Sequence, residues 1–222
     1  MNKTFYEIGS SYSGIWGKDL LRKGWCGYFI DPNPVHLAYL YQELRAEFGL
    51  GAWHTICAAI NHTEKMEEFL TANLTGTRIW GSLKESGIPN MAEFLKYEGH
   101  QKETIWTPTL HLKTLSELTQ CPNAILITTM GSEFEILRNG IPIYSDIWAF
   151  HTDTIPEKME VLENNFHASG YILYQKETDT NNITQYIYKH QDTAWDISQY
   201  VVYVEGGGYF ESGNIKLEVV HE

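Results

Sequence analysis

Apolar residues recur along this chain in two rhythms, short strand-like runs and longer stretches with helical spacing, and the two alternate from the start. Thr4–Ile8 is the first strand, followed by a short helix ending near Lys23-Gly24, with Gly24 as its C-terminal cap. Cys26–Ile30 is the second strand. Asn33 then supplies an N-cap and Pro34 a first-turn residue for a helix whose Leu37, Leu40, Tyr41, Leu44 and Phe48 repeat on one face. Trp53–Ala59, Ala124–Thr129 and Asp146–His151 read as the third, fourth and fifth strands. A helix over about 132–138, closed by Asn139-Gly140, follows the fourth. Another from Pro156 to about His167 follows the fifth, with Met159, Leu162 and Phe166 inward and Gly170 at its end. Tyr171–Lys176 and Ile183–Lys189 flank Asp179-Thr180-Asn181-Asn182, an antiparallel hairpin signal.

This alternation predicts an α/β fold, a Rossmann-like sheet of five parallel crossover strands closed by a terminal antiparallel hairpin. Two segments break the rhythm. Residues 62–122 are punctuated by turn chemistry at Thr75-Gly76-Thr77, Trp80-Gly81-Ser82, Gly87-Ile88-Pro89-Asn90 and Glu98-Gly99-His100. They read as an inserted lid, too short for a domain of its own. Residues 191–222 read as a C-terminal β extension in which Tyr200–Glu205 and Ile215–Val220 bracket Gly206-Gly207-Gly208. The expected organisation is one domain over 1–190, carrying the 62–122 lid, and the 191–222 extension. Tyr200–Glu205 is expected to fold back on its own sheet or to pair with a second subunit, which leaves a homo-oligomer open.

Composition narrows the function classes. With 222 residues, 43% hydrophobic and 20% charged, the chain is long enough for one full core. A formal net charge of −12 repels phosphate backbones and sets the expectation of no nucleic acid partner. The basic residues Lys18, Arg22 and Lys23 read as one solvated helix face. Cys26, Cys57 and Cys121 lack metal-ligand spacing, so no metal is expected, and Cys26 and Cys57 in apolar runs read as buried inert thiols. No N-terminal run resembles a signal peptide, and no stretch of about eighteen apolar residues would span a membrane. The expected setting is cytoplasmic, away from membranes.

The chemistry concentrates where the first two strands end. Glu7-Ile8-Gly9-Ser10-Ser11-Tyr12-Ser13-Gly14 puts a glycine turn after the first strand, and Asp31-Pro32-Asn33-Pro34 puts an acid after the second. A glycine turn lets a ligand approach bare backbone, and an acid about twenty residues on accepts both ribose hydroxyls. Together they point to an adenosine-containing ligand. Other readings stand beside this one. Glu7 also suits a turn, Asp31 a helix entry, and Asn61, after the third strand, a turn rather than an adenine contact. At the fourth and fifth strand ends, Glu133 is a base or acceptor-holding group, or simply a carboxylate at a helix start. His151 is a general base or a loop histidine. His100 and His111 are weaker candidates. Trp80, Tyr97 and Trp106 either close over an acceptor or fill the lid's own small core.

Four segments resemble the FkbM family of S-adenosylmethionine-dependent O-methyltransferases. They are Glu7-Ile8-Gly9, Phe29-Ile30-Asp31-Pro32-Asn33-Pro34, Gly81-Ser82-Leu83 and Gly131-Ser132-Glu133-Phe134-Glu135-Ile136-Leu137. The chain departs from that pattern at Ser13, with Gly14 one position later, at Thr128 and Met130 in place of acids, and at Ser116 in place of an aspartate. The resemblance implies a seven-stranded methyltransferase sheet with S-adenosylmethionine as cofactor. Glu7, Gly9, Ser10 and Ser11 would stand at its methionine, Asp31 at the ribose, and Pro32 and Asn61 at adenine. Catalysis would fall to His151 and Glu133, acting on a hydroxyl of a small molecule or glycan. The missing acids suggest an alternative, a catalytically degenerate protein that keeps the fold for binding or assembly.

Overall fold

The computed structural model describes residues 3–73, 79–82, 101–129, 132–152, 156–178 and 184–198, without the side chains of 72–73, 79–82 and 101–103. The strands are β1 (Thr4–Ile8), β2 (Cys26–Asp31), β3 (Trp53–Cys57), β4 (Ala59–Ile60), β5 (Met66–Asn73), β6 (Ile79–Ser82), β7 (Gln101–Leu110), β8 (Ala124–Ile127), β9 (Ile147–Thr152), β10 (Tyr171–Thr178) and β11 (Thr184–His190). The helices are α1 (Ile15–Arg22), α2 (Pro34–Phe48), α3 (Leu112–Leu118), α4 (Glu133–Leu137) and α5 (Pro156–Ala168). Lying outside the described residues are the hairpin turn 179–182, Leu83, Tyr97, His100, Met130, Gly131, and both strand-like runs of the C-terminal extension.

Seven strands form one sheet in the order β10-β11-β9-β8-β1-β2-β3. Neighbours from β9 to β3 run parallel, and β11 enters antiparallel between β9 and β10. β1 is buried along its whole length, as a central parallel strand covered on both faces must be. One face packs Tyr6, Ile8, Ile125, Trp148 and Phe150 against Leu112 and Leu115 of α3 and Met159, Leu162 and Phe166 of α5. The other packs Phe5, Phe29, Leu126 and Ala149 against Trp16 and Leu20 of α1 and Leu37, Leu40 and Leu44 of α2. The terminal hairpin is pinned by Tyr171, whose hydroxyl accepts from Ser145 N–H and Trp148 Nε1–H and donates to the Ser145 carbonyl.

Several local expectations meet a different outcome. The lid region contains long strands, with β5 antiparallel to β7 and β6 in a second sheet ordered β4-β7-β5-β6. Within the same 62–122 stretch, α3 belongs to the main core through Leu112 and Leu115. The third strand breaks at Ala58 into β3 and β4. Tyr41 is 39% exposed and only leans on Trp53, because its position lies at the rim of the α2 face. Cys57 is exposed at the end of β3 and Cys26 half-buried at the start of β2, where the strands meet their loops. Among the described residues, no helix is long and apolar enough to cross a membrane.

Candidate functional site

β1 lies between β2 and β8, so the chain crosses over in opposite directions on its two sides. Such a reversal opens a crevice at the carboxyl ends of the strands. The loop after β1 forms its floor. Gly9 takes φ +77°, and a Cβ there would stand 2.9 Å from Thr129 Cγ2 and 3.1 Å from the Thr128 carbonyl. Glycine is therefore required twice, for the turn and for the close approach of β8. Ser11 holds a left-handed φ of +54°, a strained conformation for a residue with a Cβ.

Two acidic side chains flank that loop. Glu7, 2% exposed, lies beneath the first turn of α1 and accepts Gly17 N–H at 2.8 Å. Burial pushes its carboxyl up to about 8, against the N–H groups of Gly17 and Trp16, which favour the charge. Glu7 thus ties the start of α1 to the end of β1. Asp31, 5% exposed at the end of β2, ties the loop sideways: Oδ2 accepts Ser11 N–H and Oδ1 accepts Asn33 N–H, both at 2.8 Å. Asn33 Oδ1 caps α2 by accepting Val35 N–H. Glu7, Gly9, Ser10, Ser11, Asp31 and Pro32 therefore stand along one edge. Asn61 is engaged elsewhere. Its oxygen accepts His62 N–H and its nitrogen donates to Glu67 at the start of the inserted sheet.

The other side of the crevice is built from β8 and β9. Thr128 Oγ1 donates to the Gly9 carbonyl at 2.8 Å, joining β8 to the β1 loop. Glu133 is 0% exposed and accepts from Thr129 Oγ1 at 3.0 Å. That burial suits a carboxylate bracing the start of α4 rather than one meeting an acceptor. His151 is half-buried on β9, its ring edge-on to Trp16 with centroids 4.5 Å apart. His111 serves as a cap, its Nδ1 accepting Lys113 N–H at the start of α3. Ser116 donates to the Lys113 carbonyl. Trp106 is 63% exposed. Among the described residues, no group of three or more His, Cys, Asp or Glu stands close enough to hold a metal ion.

Gly17 and His36 carry roles the sequence reading did not assign. A Cβ on Gly17 would stand 2.6 Å from Glu7 Oε2 and 2.6 Å from Phe5 Cε2, and would also meet Phe29, so α1 sits directly on the sheet. The signal was a glycine inside a helix, where it is otherwise disfavoured. His36, in the first turn of α2, is buried beside Asp31 with Nδ1 3.3 Å from Oδ1.

No family model and no curated protein matches the sequence, so the FkbM resemblance rests on the four segments quoted above. Solved structures do match. Sp1610 of Streptococcus pneumoniae, a candidate tRNA (m1A22) methyltransferase in complex with S-adenosyl-L-methionine, shares 8% identity over 90% of this chain and 72% of its own, with TM-score 0.50. The fold is that of the Rossmann-like methyltransferases. M. capricolum TrmK in complex with S-adenosyl-homocysteine is similar at 11% identity, 90% and 68% coverage and TM-score 0.49. The ribosomal protein L11 methylase of Lactobacillus delbrueckii subsp. bulgaricus is similar at 8%, 86% and 71%, and 0.49.

The likeness to Sp1610 overturns the expectation that excludes nucleic acid. A candidate tRNA methyltransferase is built on this methyltransferase fold. Net charge describes the whole surface and does not decide what one edge of it meets. The basic side chains singled out earlier are each paired, Lys18 with Glu43, Arg22 with Glu47 and Lys23 with Asp19.

Proposed function

We propose that this chain is an S-adenosylmethionine-dependent methyltransferase acting on a hydroxyl of a small molecule or glycan. The observation that carries the proposal is the Asp31 carboxylate, which joins the loops after β1 and β2 into one cradle at the crevice. Sp1610, the fold neighbour with S-adenosyl-L-methionine bound, supports the choice of ligand. The residues fit such a group. Asp31 keeps acceptor positions beyond the two N–H groups it serves, and Ser10 Oγ and Asn33 Nδ2 are buried with no hydrogen-bond partner among the described residues.

In this reading Asp31 accepts from the ribose, while the backbone of Gly9–Ser11 lies along the methionine. Glu7 and Gly17 keep that backbone in place from below. When bound, S-adenosylmethionine supplies a methyl group on a positively charged sulfur, already a strong electrophile. What remains for the protein is alignment and proton removal. His151, at the carboxyl end of β9, is the base that takes the acceptor's proton on a ring nitrogen. Trp16 fixes the plane of its ring. Glu133 braces the start of α4.

One observation favours a second reading, a fold retained for binding or assembly. Thr128, in place of an acid of the resembled pattern, spends its hydroxyl on the Gly9 carbonyl. Calorimetric titration with S-adenosylmethionine and S-adenosylhomocysteine, with NADH as control, tests the cofactor. Binding of the first two alone supports the proposal, and failure of both ends it. A turnover panel of hydroxylated small molecules, glycans and RNA then separates an enzyme from a binding protein.

A further inference from the structure

Around Asp31 the structure leaves polar atoms that helix capping and loop anchoring do not use. Among the described residues, both ring nitrogens of His36 are buried outside hydrogen-bond geometry, and Ser10 Oγ and Asn33 Nδ2 are likewise buried without a partner. His36 is 7% exposed in the first turn of α2, where a histidine ordinarily reaches water. Its side chain instead leans back over the helix start, as side chains on a helix do, and brings Nδ1 to 3.3 Å from Asp31 Oδ1.

Counting lone pairs shows why that matters. An ionised carboxylate offers about four acceptor positions. Asn33 N–H takes one on Oδ1 and Ser11 N–H takes one on Oδ2. One position remains on each oxygen, and His36 Nδ1 stands against Oδ1. A vicinal diol that bonds both oxygens needs that position. With a proton on Nδ1 the imidazolium, 3.3 Å away, pairs with Oδ1 after a small turn of the ring and competes for that position. With Nδ1 bare and the proton on Nε2, the position is open.

We infer that His36 is a positioning residue acting through Asp31, its Nδ1 proton and the second hydroxyl of a ribose diol competing for Oδ1. The inference rests on the methyltransferase reading, in which an adenosine ribose meets Asp31. Three further titratable groups face this pair. Tyr12 lies with its ring centroid 5.9 Å from that of His36. Cys57 ends β3 opposite Asp31, its thiol pushed up by burial and by the aspartate. Glu7, pushed up to about 8 by burial, can also exchange a proton, so a variant is needed to tell the two groups apart.

The test is calorimetry with S-adenosylhomocysteine at about pH 6.5, inside the range where histidines change charge, in buffers of different ionisation enthalpy. The wild-type protein is expected to release a proton on binding, and its affinity to fall by up to about tenfold per unit as pH drops below neutrality. His36→Gln is expected to bind without that release and with a flat pH profile. Analogues lacking the 2′- or the 3′-hydroxyl should lose the linkage on the wild-type protein, which keeps the test independent of how the variant folds. Binding without proton release, or equal release by His36→Gln, overturns the inference and leaves the cofactor reading standing. No binding at any pH overturns both.

Discussion

Glu7→Gln should make the protein more stable, and increasingly so as pH rises. Glu7 is 2% exposed, accepts Gly17 N–H, and has its carboxyl pushed from 4.5 to about 8, chiefly by burial. Between those values the folded carboxyl keeps its proton while the unfolded one has released it. The folded state then binds more protons, so stability falls as pH climbs through the window. At about 1.4 kcal/mol per unit, the window sets a ceiling of about 5 kcal/mol. Relaxation and water penetration around buried charge reduce this, and we expect about 2–3 kcal/mol at pH 8. Glutamine matches the protonated carboxyl in shape, keeps an oxygen for Gly17 N–H and does not titrate. Urea unfolding followed by tryptophan fluorescence at about pH 5, 6, 7 and 8 gives the curve for each protein. Groups common to both cancel in the difference. The two should coincide near pH 5 and separate above it. A gap that stays constant with pH, or a wild type that gains on the variant, would show that Glu7 is ionised in the folded protein and refute the reasoning.

Three further outcomes are expected. Asp31→Ala should weaken S-adenosylhomocysteine binding by about 1.5–3 kcal/mol, roughly ten- to hundredfold, read by calorimetry on a folded variant. Unchanged affinity would remove the ribose assignment. His151→Ala should lower turnover by roughly 10²–10⁴-fold with cofactor affinity unchanged, and full activity would end its role as base. Gly17→Ala should cost about 1–3 kcal/mol in urea unfolding, since the new methyl meets Glu7 and Phe5. A variant as stable as wild type would mean α1 shifts freely on the sheet.

The sheet was legible because its strands announce themselves locally. Thr4–Ile8 and Ala124–Ile127 are short apolar runs bounded by turn residues, and Asn33-Pro34 is a helix start that the structure places where the sequence has it. The inserted strands hid for a physical reason. In β7 the polarity is inverted, with Thr107 and Thr109 buried and Trp106 exposed, and Pro108 interrupts the run. A proline argues against a strand, and nothing local reveals that threonines face inward. The pairing of β7 with β5 is set by contacts between segments far apart in sequence, which periodicity does not report. That Gly9 and Asp31 fall at the ends of two neighbouring strands was legible from spacing. His36 was not, because its neighbours Leu37, Leu40 and Leu44 define the apolar face of α2, and only the lean of a first-turn side chain brings it to Asp31.

Thr128 shows how a departure from a family pattern changes meaning once geometry is known. Read along the chain, it is an acid lost next to the catalytic side. In the fold it stands at the β1–β8 seam, the place where the strand order reverses, and its hydroxyl donates to the Ile8 and Gly9 carbonyls. An ionised carboxylate has no proton to donate and would face those carbonyls as an unpaired acceptor. The hydroxyl and the Gly9 turn are therefore a matched pair. The contact joins the loop after β1 to the strand that leads to Glu133, through Thr129. The side of the crevice that carries His151 is one strand further on, at β9. The substitution that motivates a non-catalytic reading is thus also one that ties the β1 loop to β8. Which of the two consequences dominates is decided by turnover, not by the missing acid.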